Sequence, residues 1–298
     1  MFQGKMTIAL LILVLTMSWG YSWVLMKIGL EYMEPFTFSG LRFFIGSLTL
    51  MIILFFLKAK GVEQKKKPLS KVMILGFLQT ALVFGLVMYG MQFVEAGKSS
   101  ILLYTMPIWS SFLAVYFLQE SLNVRKIQGL LLGIVGLVFI IVSDLIHSIS
   151  LESTLGIVII LVASLVWSVS NIFYKKQLAG GDQLSINCFQ MFFGSLLLGA
   201  IALILERDNI IIINRESIYA LFFTGVVASA LSFAIWFYLL TVVSTFTATM
   251  SSLLVPVFGM LFSVIILGEE FTFQLAIGSI LILAGIFLAQ NVQKSRST

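Results

Sequence analysis

The chain alternates between long apolar stretches and short polar connections. Each apolar stretch is close to the ~20 residues that a helix needs to cross the hydrocarbon core of a bilayer. The connections are too short to form a domain outside the membrane. The pattern predicts ten transmembrane helices, at about residues 6–27, 36–57, 72–93, 99–118, 127–145, 155–174, 184–205, 218–239, 246–267 and 272–290.

The second half of the chain repeats a pattern of proline, glutamate and glycine residues from the first half. A proline, a glutamate and two glycines of the fourth and fifth spans recur 149 residues later, in the ninth and tenth. The two sets are Pro107, Glu120, Gly129 and Gly136, and Pro256, Glu269, Gly278 and Gly285. Earlier in each half the matching residues, 148 apart, are Trp19 with Trp167, Ser22 with Ser170, and Lys27 with Lys175.

Each half therefore holds five spans, and the predicted repeats are residues 1–145 and 146–298. Because five is odd, the second repeat enters the membrane upside down relative to the first. Inverted repeats place a substrate site near the midplane, between the halves, and the halves alternate its access. The predicted fold is an all-α polytopic membrane protein of two five-helix inverted-topology repeats.

The composition agrees with a membrane protein and argues against other classes of protein. Of the 298 residues, 60% are hydrophobic and only 10% charged, whereas a soluble domain carries about a quarter charged residues. The net charge of +5 could suggest nucleic acid, but the Lys and Arg residues cluster in short connections beside the spans. Their excess on one side predicts that both termini are cytoplasmic. The run Lys65-Lys66-Lys67 either binds acidic lipid headgroups or flanks a span.

Catalytic and metal-binding patterns are missing from the spans. Cys188 is the only cysteine, the only histidine, His147, lies in a connection, and no Asp or Glu lies in the middle of a span. We therefore expect no enzyme activity, no cofactor and no metal. Coupled carriers commonly hold an intramembrane carboxylate, so its absence favours a neutral or zwitterionic substrate.

A known family carries similar motifs. The first two helices of the EamA family, in the drug/metabolite transporter superfamily, resemble Ser18-Trp19-Gly20-Tyr21-Ser22-Trp23-Val24 with Lys27-Ile28-Gly29, Pro35 and Leu41-Arg42-Phe43. The Pro/Glu/Gly blocks resemble the ends of its two units, and the resemblance covers about residues 6–143 and 154–290. It implies a ten-helix exporter or permease of a bacterial inner membrane, for amino acids, other small metabolites or drugs. The second half departs from the pattern at Asn171 and Gln190, which stand where the first half has Trp23 and Arg42.

Several residues within the spans are candidates for substrate contact. Trp19 and Trp167 lie near mid-membrane, where they either flank a cavity with apolar area and an N–H donor or pack between helices. Tyr104 shares a helix face with Pro107. The polar residues either contact substrate or hydrogen-bond between helices. The predicted substrate-binding residues are Trp19, Gln79, Tyr104, Trp167, Asn171, Ser229, Trp236 and Ser252.

Prolines are candidates for kinks or gates. Pro107 and Pro256 each delete one helical hydrogen bond, which is expected to free the carbonyls of Leu103 and Ser252. The glycines that follow these prolines in the sequence are expected to allow close packing between helices.

Three charged residues are candidates for charge pairing. Glu120 and Glu269 lie at helix ends and are expected to cap helices or to pair between the repeats. Arg42 is either a counter-charge for a substrate carboxylate or an interfacial anchor. As an anchor it would pair with Glu31, Glu34 or Glu95.

These expectations combine into one functional hypothesis. The protein exports amino acids or related zwitterionic or neutral compounds by alternating access at a midplane cavity. A drug or nucleotide-type metabolite carrier of the same fold, and a channel or lipid scramblase, are the alternatives. The expected partners are a small-molecule substrate and the lipid bilayer, without nucleic acid, and the sequence leaves a homodimer open.

Overall fold

The computed structural model describes residues 2–59, 67–145, 151–207, 210–268 and 273–290, which form helices and short connections without a strand. Ten helices follow one another. They are α1 Phe2–Gly29, α2 Pro35–Ala59, α3 Leu69–Gly90, α4 in two segments Ala96–Leu103 and Met106–Leu118, α5 Val124–Leu145, α6 Leu151–Leu178, α7 Gln183–Leu205, α8 Arg215–Val242, α9 in two segments Thr245–Ser251 and Leu254–Leu267, and α10 Phe273–Gln290. Glu269 lies outside the described residues.

The surface of the bundle is apolar. Within the described residues, eight helices are long and apolar enough to cross a membrane. Large side chains such as Phe55, Leu203 and Ile265 are 70–75% exposed, which in water would be costly and in a bilayer places them against lipid tails. The predicted polytopic helical class is confirmed. Helices α6 and α8 extend about one turn beyond the predicted spans at both ends.

Equivalent helices of the two halves run in opposite directions. The carboxylate of Glu206, just after the end of α7, accepts the backbone N–H groups of Phe36 and Thr37 at 2.8 and 2.7 Å. The first turn of α2 therefore lies beside the end of α7. Because α2 and α7 are the second helices of their repeats, this contact shows the inverted topology.

The helices of the two halves pack in equivalent ways, as a two-fold relation between the halves requires. The central pairs α2–α7 and α5–α10 each join equivalent helices. The other large contacts come in matched pairs: α1 packs on α9 as α6 packs on α4, and α2 packs on α8 as α7 packs on α3. Each repeat thus packs mainly against the other repeat.

Glycines allow the closest of these approaches. A Cβ on Gly136 would lie 2.7 Å from the carbonyl oxygen of Gly278, and one on Gly285 would lie 2.6 Å from that of Gly129. Real Cβ atoms do not come so close, so a side chain at Gly136 or Gly285 would push α5 and α10 apart. The predicted packing role of these glycines is confirmed.

Helices α4 and α9 are interrupted one turn before their prolines. Pro107 lies in the first turn of the second α4 segment, where its fixed φ and missing N–H are tolerated, and Pro256 has the same place in α9. One expectation was wrong: the carbonyl of Ser252 is not free, because it accepts the N–H of Val255 at 2.9 Å. The interruption tightens the chain into a short turn, which supplies a nearer donor.

Three helices contain π-helical turns. Gly76–Leu82 of α3 and Phe223–Leu231 of α8 lie at equivalent places in the two halves, and Tyr174–Leu178 ends α6. A π turn leaves the i→i+4 pattern and is frequent at functional sites. The first two segments border the centre of the bundle.

Candidate functional site

Four aromatic rings meet where α1, α3, α6 and α8 converge. We call Trp19, Phe84, Trp167 and Phe233 the aromatic cage. The centroids of Trp19 and Trp167 lie 5.6 Å apart. The equivalent contacts Trp19–Phe233 and Trp167–Phe84 measure 5.4 and 5.6 Å. All four side chains are buried, and the near-equal distances place the two-fold relation through the cage.

The two tryptophans differ in their polar atoms. Trp19 Nε1 donates to the carbonyl oxygen of Ala228, in the π segment of α8, at 2.9 Å. Trp167 Nε1 is buried and has no hydrogen-bond partner among the described residues. A buried N–H without a partner is unusual. The cage therefore offers one donor that the protein itself leaves unused.

Arg42 places a full charge beside the cage. Its side chain is 1% exposed, and its Nε and Nη2 donate to Ser229 Oγ at 3.3 and 3.2 Å. Nη1 lies 2.6 Å from the sulfur of Met26. The guanidinium carbon lies 4.7 and 4.9 Å from the ring centroids of Phe43 and Phe84.

The expected anchor pairing of Arg42 is not found. Lys175 and Glu120 form an ion pair, but among the described residues none is found between Arg42 and Glu31, Glu34 or Glu95. The reason is geometric: Arg42 points into the bundle, while Glu34 lies in the α1–α2 connection, where its carboxylate accepts Gln92 Nε2 at 3.5 Å. Arg42 is a buried cation without a protein counter-anion in the described part of the chain.

A small cavity joins Arg42 to the cage. Its volume is about 10 Å³, the room that one water needs. Its lining consists of Trp19, Ser22, Trp23, Met26, Arg42, Phe84, Leu103, Tyr104 and Trp167. The cage is closely packed in this conformation, so a metabolite can enter only when the surrounding helices part.

An amide-rich group lies on the α6–α8 side of the cage. Ser170 Oγ donates to Gln79 Oε1, and Trp236 Nε1 donates to Asn171 Oδ1 at 3.1 Å. The amide nitrogens of Gln79 and Asn171 have no partner among the described residues. With Trp19 and Trp236 5.5 Å apart, this group adjoins the cage and adds further unused donors.

The second half repeats the Arg42 contact without the charge. Gln190 is equivalent to Arg42, and Thr80 is equivalent to Ser229. Thr80 Oγ1 donates to Gln190 Oε1 at 2.5 Å, while Gln190 Nε2 donates to Asn187 Oδ1 at 3.0 Å. The same helix–helix contact is thus made by a cation in one half and by an amide in the other.

The structure brings most, but not all, of the candidate residues together. Trp19, Trp167, Tyr104 and Arg42 line the small cavity. Ser229 contacts Arg42, Trp236 contacts Trp19, and Asn171 contacts Trp236. Gln79 reaches the cluster through Ser170, which also bonds the carbonyl oxygen of Trp167. Ser252 does not line that cavity: its hydroxyl donates to the carbonyl oxygen of Thr249, in its own helix, at 2.7 Å.

Glu120 contacts residues of two other helices and so links α4 to both. It lies at the face of the bundle where α1 begins, which we call the terminal face. Its carboxylate lies 2.9 Å from Lys175 Nζ of α6. It also accepts the backbone N–H groups of Thr245 and Phe246, at 3.0 and 3.4 Å, and so caps α9. Burial alone would raise the pKa of Glu120, but the hydrogen bonds from Thr245 and Lys175 outweigh it and lower that pKa.

A larger cavity, of about 530 Å³, lies between α2 and α7 at the opposite face. Its flanks include Leu41, Phe44 and Leu203, which are 37–75% exposed. The carboxylate of Glu206 at its rim is already engaged in capping α2. This groove opens on the lipid-facing perimeter, and among the described residues it has none of the buried, unpartnered donors that lie at the cage. We therefore place the candidate site at the cage.

Sequence reasoning missed half of the cage. Phe84 and Phe233 are two among 27 phenylalanines, and nothing local distinguishes them. The internal repeat could have found them, because they are 149 residues apart, as are Thr80 and Ser229. Pairing every aromatic residue with its equivalent would have placed Phe84 and Phe233 on a short list, together with pairs such as Tyr89 and Tyr238.

Two inverted five-helix repeats that enclose a buried polar and aromatic site define a class, the multi-pass membrane transporters. The chain belongs to the EamA-like transporter family, which it matches over residues 6–142 and 154–290. It is therefore a multi-pass membrane transporter and not an enzyme.

Named relatives agree with this assignment. The chain is 34% identical to "Uncharacterized transporter YoaV" of Bacillus subtilis (strain 168), over 93% of this chain and 94% of the relative. It is 28% identical to the "Probable amino-acid metabolite efflux pump" of Escherichia coli (strain K12), over 93% of each. A solved crystal structure matches with a TM-score of 0.80 at 17% identity, over 98% of this chain and 99% of that one, which supports the fold.

Proposed function

We propose that the protein is an export carrier for amino acids or related zwitterionic or neutral metabolites, and that the aromatic cage is its substrate site. The observation that carries the proposal is the equivalent pair Trp19 and Trp167, which meet at the boundary of two inverted repeats. Inverted-repeat carriers bind substrate at this boundary, near the midplane. The cage supplies apolar area, and Arg42, Trp167 and the two amides supply polar contacts.

Alternating access follows from how the two faces are closed. At the terminal face, Glu120 ties α4 to α6 and α9. At the opposite face, Tyr32 donates to Glu216, and Thr37 Oγ1 donates to Glu206 at 2.7 Å. Each closure joins one repeat to the other. Releasing one closure while keeping the other would open the cage to one face at a time.

The proposed substrate class combines two kinds of support. The site pairs an apolar, aromatic body with a cation and several amide and indole donors, which suits a small molecule with one polar end. Two relatives, of Escherichia coli and Salmonella typhimurium, are named as amino-acid metabolite efflux pumps. Among the described residues, the cage has room for about one water and no open pore, which supports a carrier over an open channel or a lipid scramblase.

The proposed setting is a bacterial inner membrane with both termini in the cytoplasm, because the terminal face carries most of the Lys and Arg residues. The terminal face would then be the cytoplasmic one. We retain 1–145 and 146–298 as the proposed repeats.

Counterflow in proteoliposomes tests the carrier. Vesicles are preloaded with one unlabelled amino acid and diluted into a solution of the same amino acid in labelled form. The experiment is repeated for all twenty amino acids. We expect transient, saturable accumulation of label for at least one amino acid. Exchange of none of them would contradict the substrate class, and flux that rises linearly without saturation or counterflow would contradict the carrier.

A further inference from the structure

The charge of Arg42 meets no anion in the described part of the protein, only the rings of Phe43 and Phe84. Its guanidinium is buried, and its hydrogen-bond acceptors are one hydroxyl and one thioether sulfur. A guanidinium has five N–H donors in a fixed fork, and a thioether is a weak acceptor. A buried cation left in this state is costly unless something pairs with it.

The other repeat shows that packing does not need the charge. Gln190 fills the equivalent place and meets Thr80 as Arg42 meets Ser229. If the contact only held helices together, a neutral amide would serve in both halves and avoid the cost of burial. The difference between the halves therefore concerns what occupies the space between them.

The cavity beside Arg42 collects donors. Arg42 and Trp167 both line it, and Trp167 Nε1 has no acceptor among the described residues. The hydroxyl of Ser229, nearest to the guanidinium, already donates to the carbonyl oxygen of Thr224 at 2.7 Å. An arginine fork and a free indole N–H around one cavity, without an anionic acceptor, are complementary to a carboxylate.

We propose that Arg42 anchors a carboxylate of the substrate, so that the carrier binds carboxylate-bearing metabolites and rejects the corresponding amides, in which a neutral carboxamide replaces the carboxylate. This deepens the proposed function and rests on it. The carboxylate pairs with the guanidinium and accepts the N–H of Trp167, while the apolar part of the substrate lies against the rings of the cage. Substrate binding supplies the counter-anion that the described protein lacks.

Binding can be tested without relying on transport. The purified protein in detergent is heated with each of the twenty L-amino acids and, separately, with the corresponding L-amino-acid amide. A ligand that binds the folded state raises the unfolding temperature. We expect one or more acids to raise it and their amides to bind about 10- to 100-fold more weakly, the range for one charged hydrogen-bonding interaction.

Variants assign the preference to Arg42. Arg42→Gln installs the residue that the other repeat uses, and it should erase the difference between acid and amide. Arg42→Lys keeps the charge but loses the fork, so it should keep the preference with weaker binding, and it serves if Arg42→Gln does not fold. Ser39→Ala is the control: Ser39 lies one turn earlier on α2, and its buried hydroxyl has no partner among the described residues, so the preference should persist.

The outcomes separate the two proposals. Equal stabilisation by acid and amide, stabilisation by neither, or a preference that survives in Arg42→Gln overturns the carboxylate anchor. An acid preference that depends on Arg42, together with no counterflow of any amino acid, supports the anchor and overturns the carrier. An acid preference lost in both Arg42→Gln and Ser39→Ala also overturns the anchor, because it would reflect disturbance of α2.

Discussion

The equivalent tryptophans of the cage have become chemically different. Trp19 uses its indole N–H inside the protein, on the carbonyl oxygen of Ala228, whereas Trp167 leaves its N–H unpaired. A hydrogen bond contributes about 1 kcal/mol to stability, whereas a buried donor left unpaired costs about 1–3 kcal/mol. We therefore expect Trp19 to contribute more to stability and Trp167 to contribute more to substrate binding.

Replacing each tryptophan by phenylalanine separates its contribution to stability from its contribution to substrate binding. Trp19→Phe removes a hydrogen bond and should lower the free energy of unfolding by about 1 kcal/mol. Trp167→Phe removes a donor that bonds nothing in the described protein. It should leave stability unchanged or slightly higher but reduce transport about tenfold. Thermal unfolding in detergent and counterflow of the same preparations check both values.

The two variants are controls for each other, since both exchange an indole for a phenyl ring in the same cage. Stability that falls equally in Trp19→Phe and Trp167→Phe would mean that ring volume, not the N–H, decides. Full transport by Trp167→Phe would remove its indole donor from the proposed site.

At the scale of single residues, sequence reasoning found the unusual side chains and missed the common ones. Trp19, Trp167 and Tyr104 stand out as large amphipathic residues in mid-span, and all three line the small cavity. The sequence leaves two roles open for Arg42, a surface anchor or an inward charge. The side-chain rotamer decides between them, and only tertiary packing fixes that rotamer. Phe84 was missed because any span of this composition contains phenylalanine.

Helix ends carry the contacts that hold one face of the site closed. Glu120 follows α4, and its carboxylate is shared between Lys175 and the first N–H groups of α9. Its side chain is 15% exposed and that of Lys175 22%, so solvent screens this pair less than a surface pair. The contact joins three helices from both repeats with one side chain.

Glu120→Gln should weaken this closure and make it insensitive to pH. Loss of the charged hydrogen bonds is expected to lower the free energy of unfolding by about 1–3 kcal/mol at pH 7. Because the pKa of Glu120 is lowered in the folded protein, its contribution is complete above the unfolded pKa of ~4.3. That contribution is lost as the pH falls through the folded pKa. The wild-type advantage over Glu120→Gln should therefore shrink on acidification.

Thermal unfolding of the two proteins in detergent between pH 7 and about pH 2 gives this comparison, because the loss is expected below the unfolded pKa of ~4.3. Lys175→Met is the matched variant, and in a double-mutant cycle its effect should overlap with that of Glu120→Gln. Additive effects would show that Glu120 acts without Lys175, through its backbone neighbours alone. A wild-type advantage that stays constant down to about pH 2 would show that the charge of Glu120 does not contribute.

Element types were predictable from hydropathy, whereas breaks within helices were not. All ten predicted spans are helices, because ~20 apolar residues in a bilayer leave no other way to satisfy the backbone. The carbonyl of Ser252 was expected to be free, since a continuous helix with one missing bond was assumed around Pro256. The chain instead forms a tight turn there, an adjustment that depends on local geometry.

The whole molecule is two copies of one unit that bury their site against each other. Helices α2 and α7, and α5 and α10, join equivalent parts of the copies, and glycine contacts such as Gly136 on Gly278 keep them close. The proposed site lies where the copies face each other, and its residues differ between the halves where the copies have diverged. The repeat in the sequence predicted this arrangement, but the divergent pair Arg42 and Gln190 acquired meaning only when both were seen to make the same contact.

The central claim is that the cavity at the cage opens to each face of the membrane in turn. Ser22 lines that cavity, and the only native cysteine, Cys188, is buried. The decisive measurement is the reaction of Ser22→Cys, in a Cys188→Ala background, with a membrane-impermeant thiol reagent applied to either face of the membrane in separate preparations. Our account predicts labelling from both faces, slowed from both by an amino acid that gives counterflow. Labelling from one face only, or from neither, would contradict it.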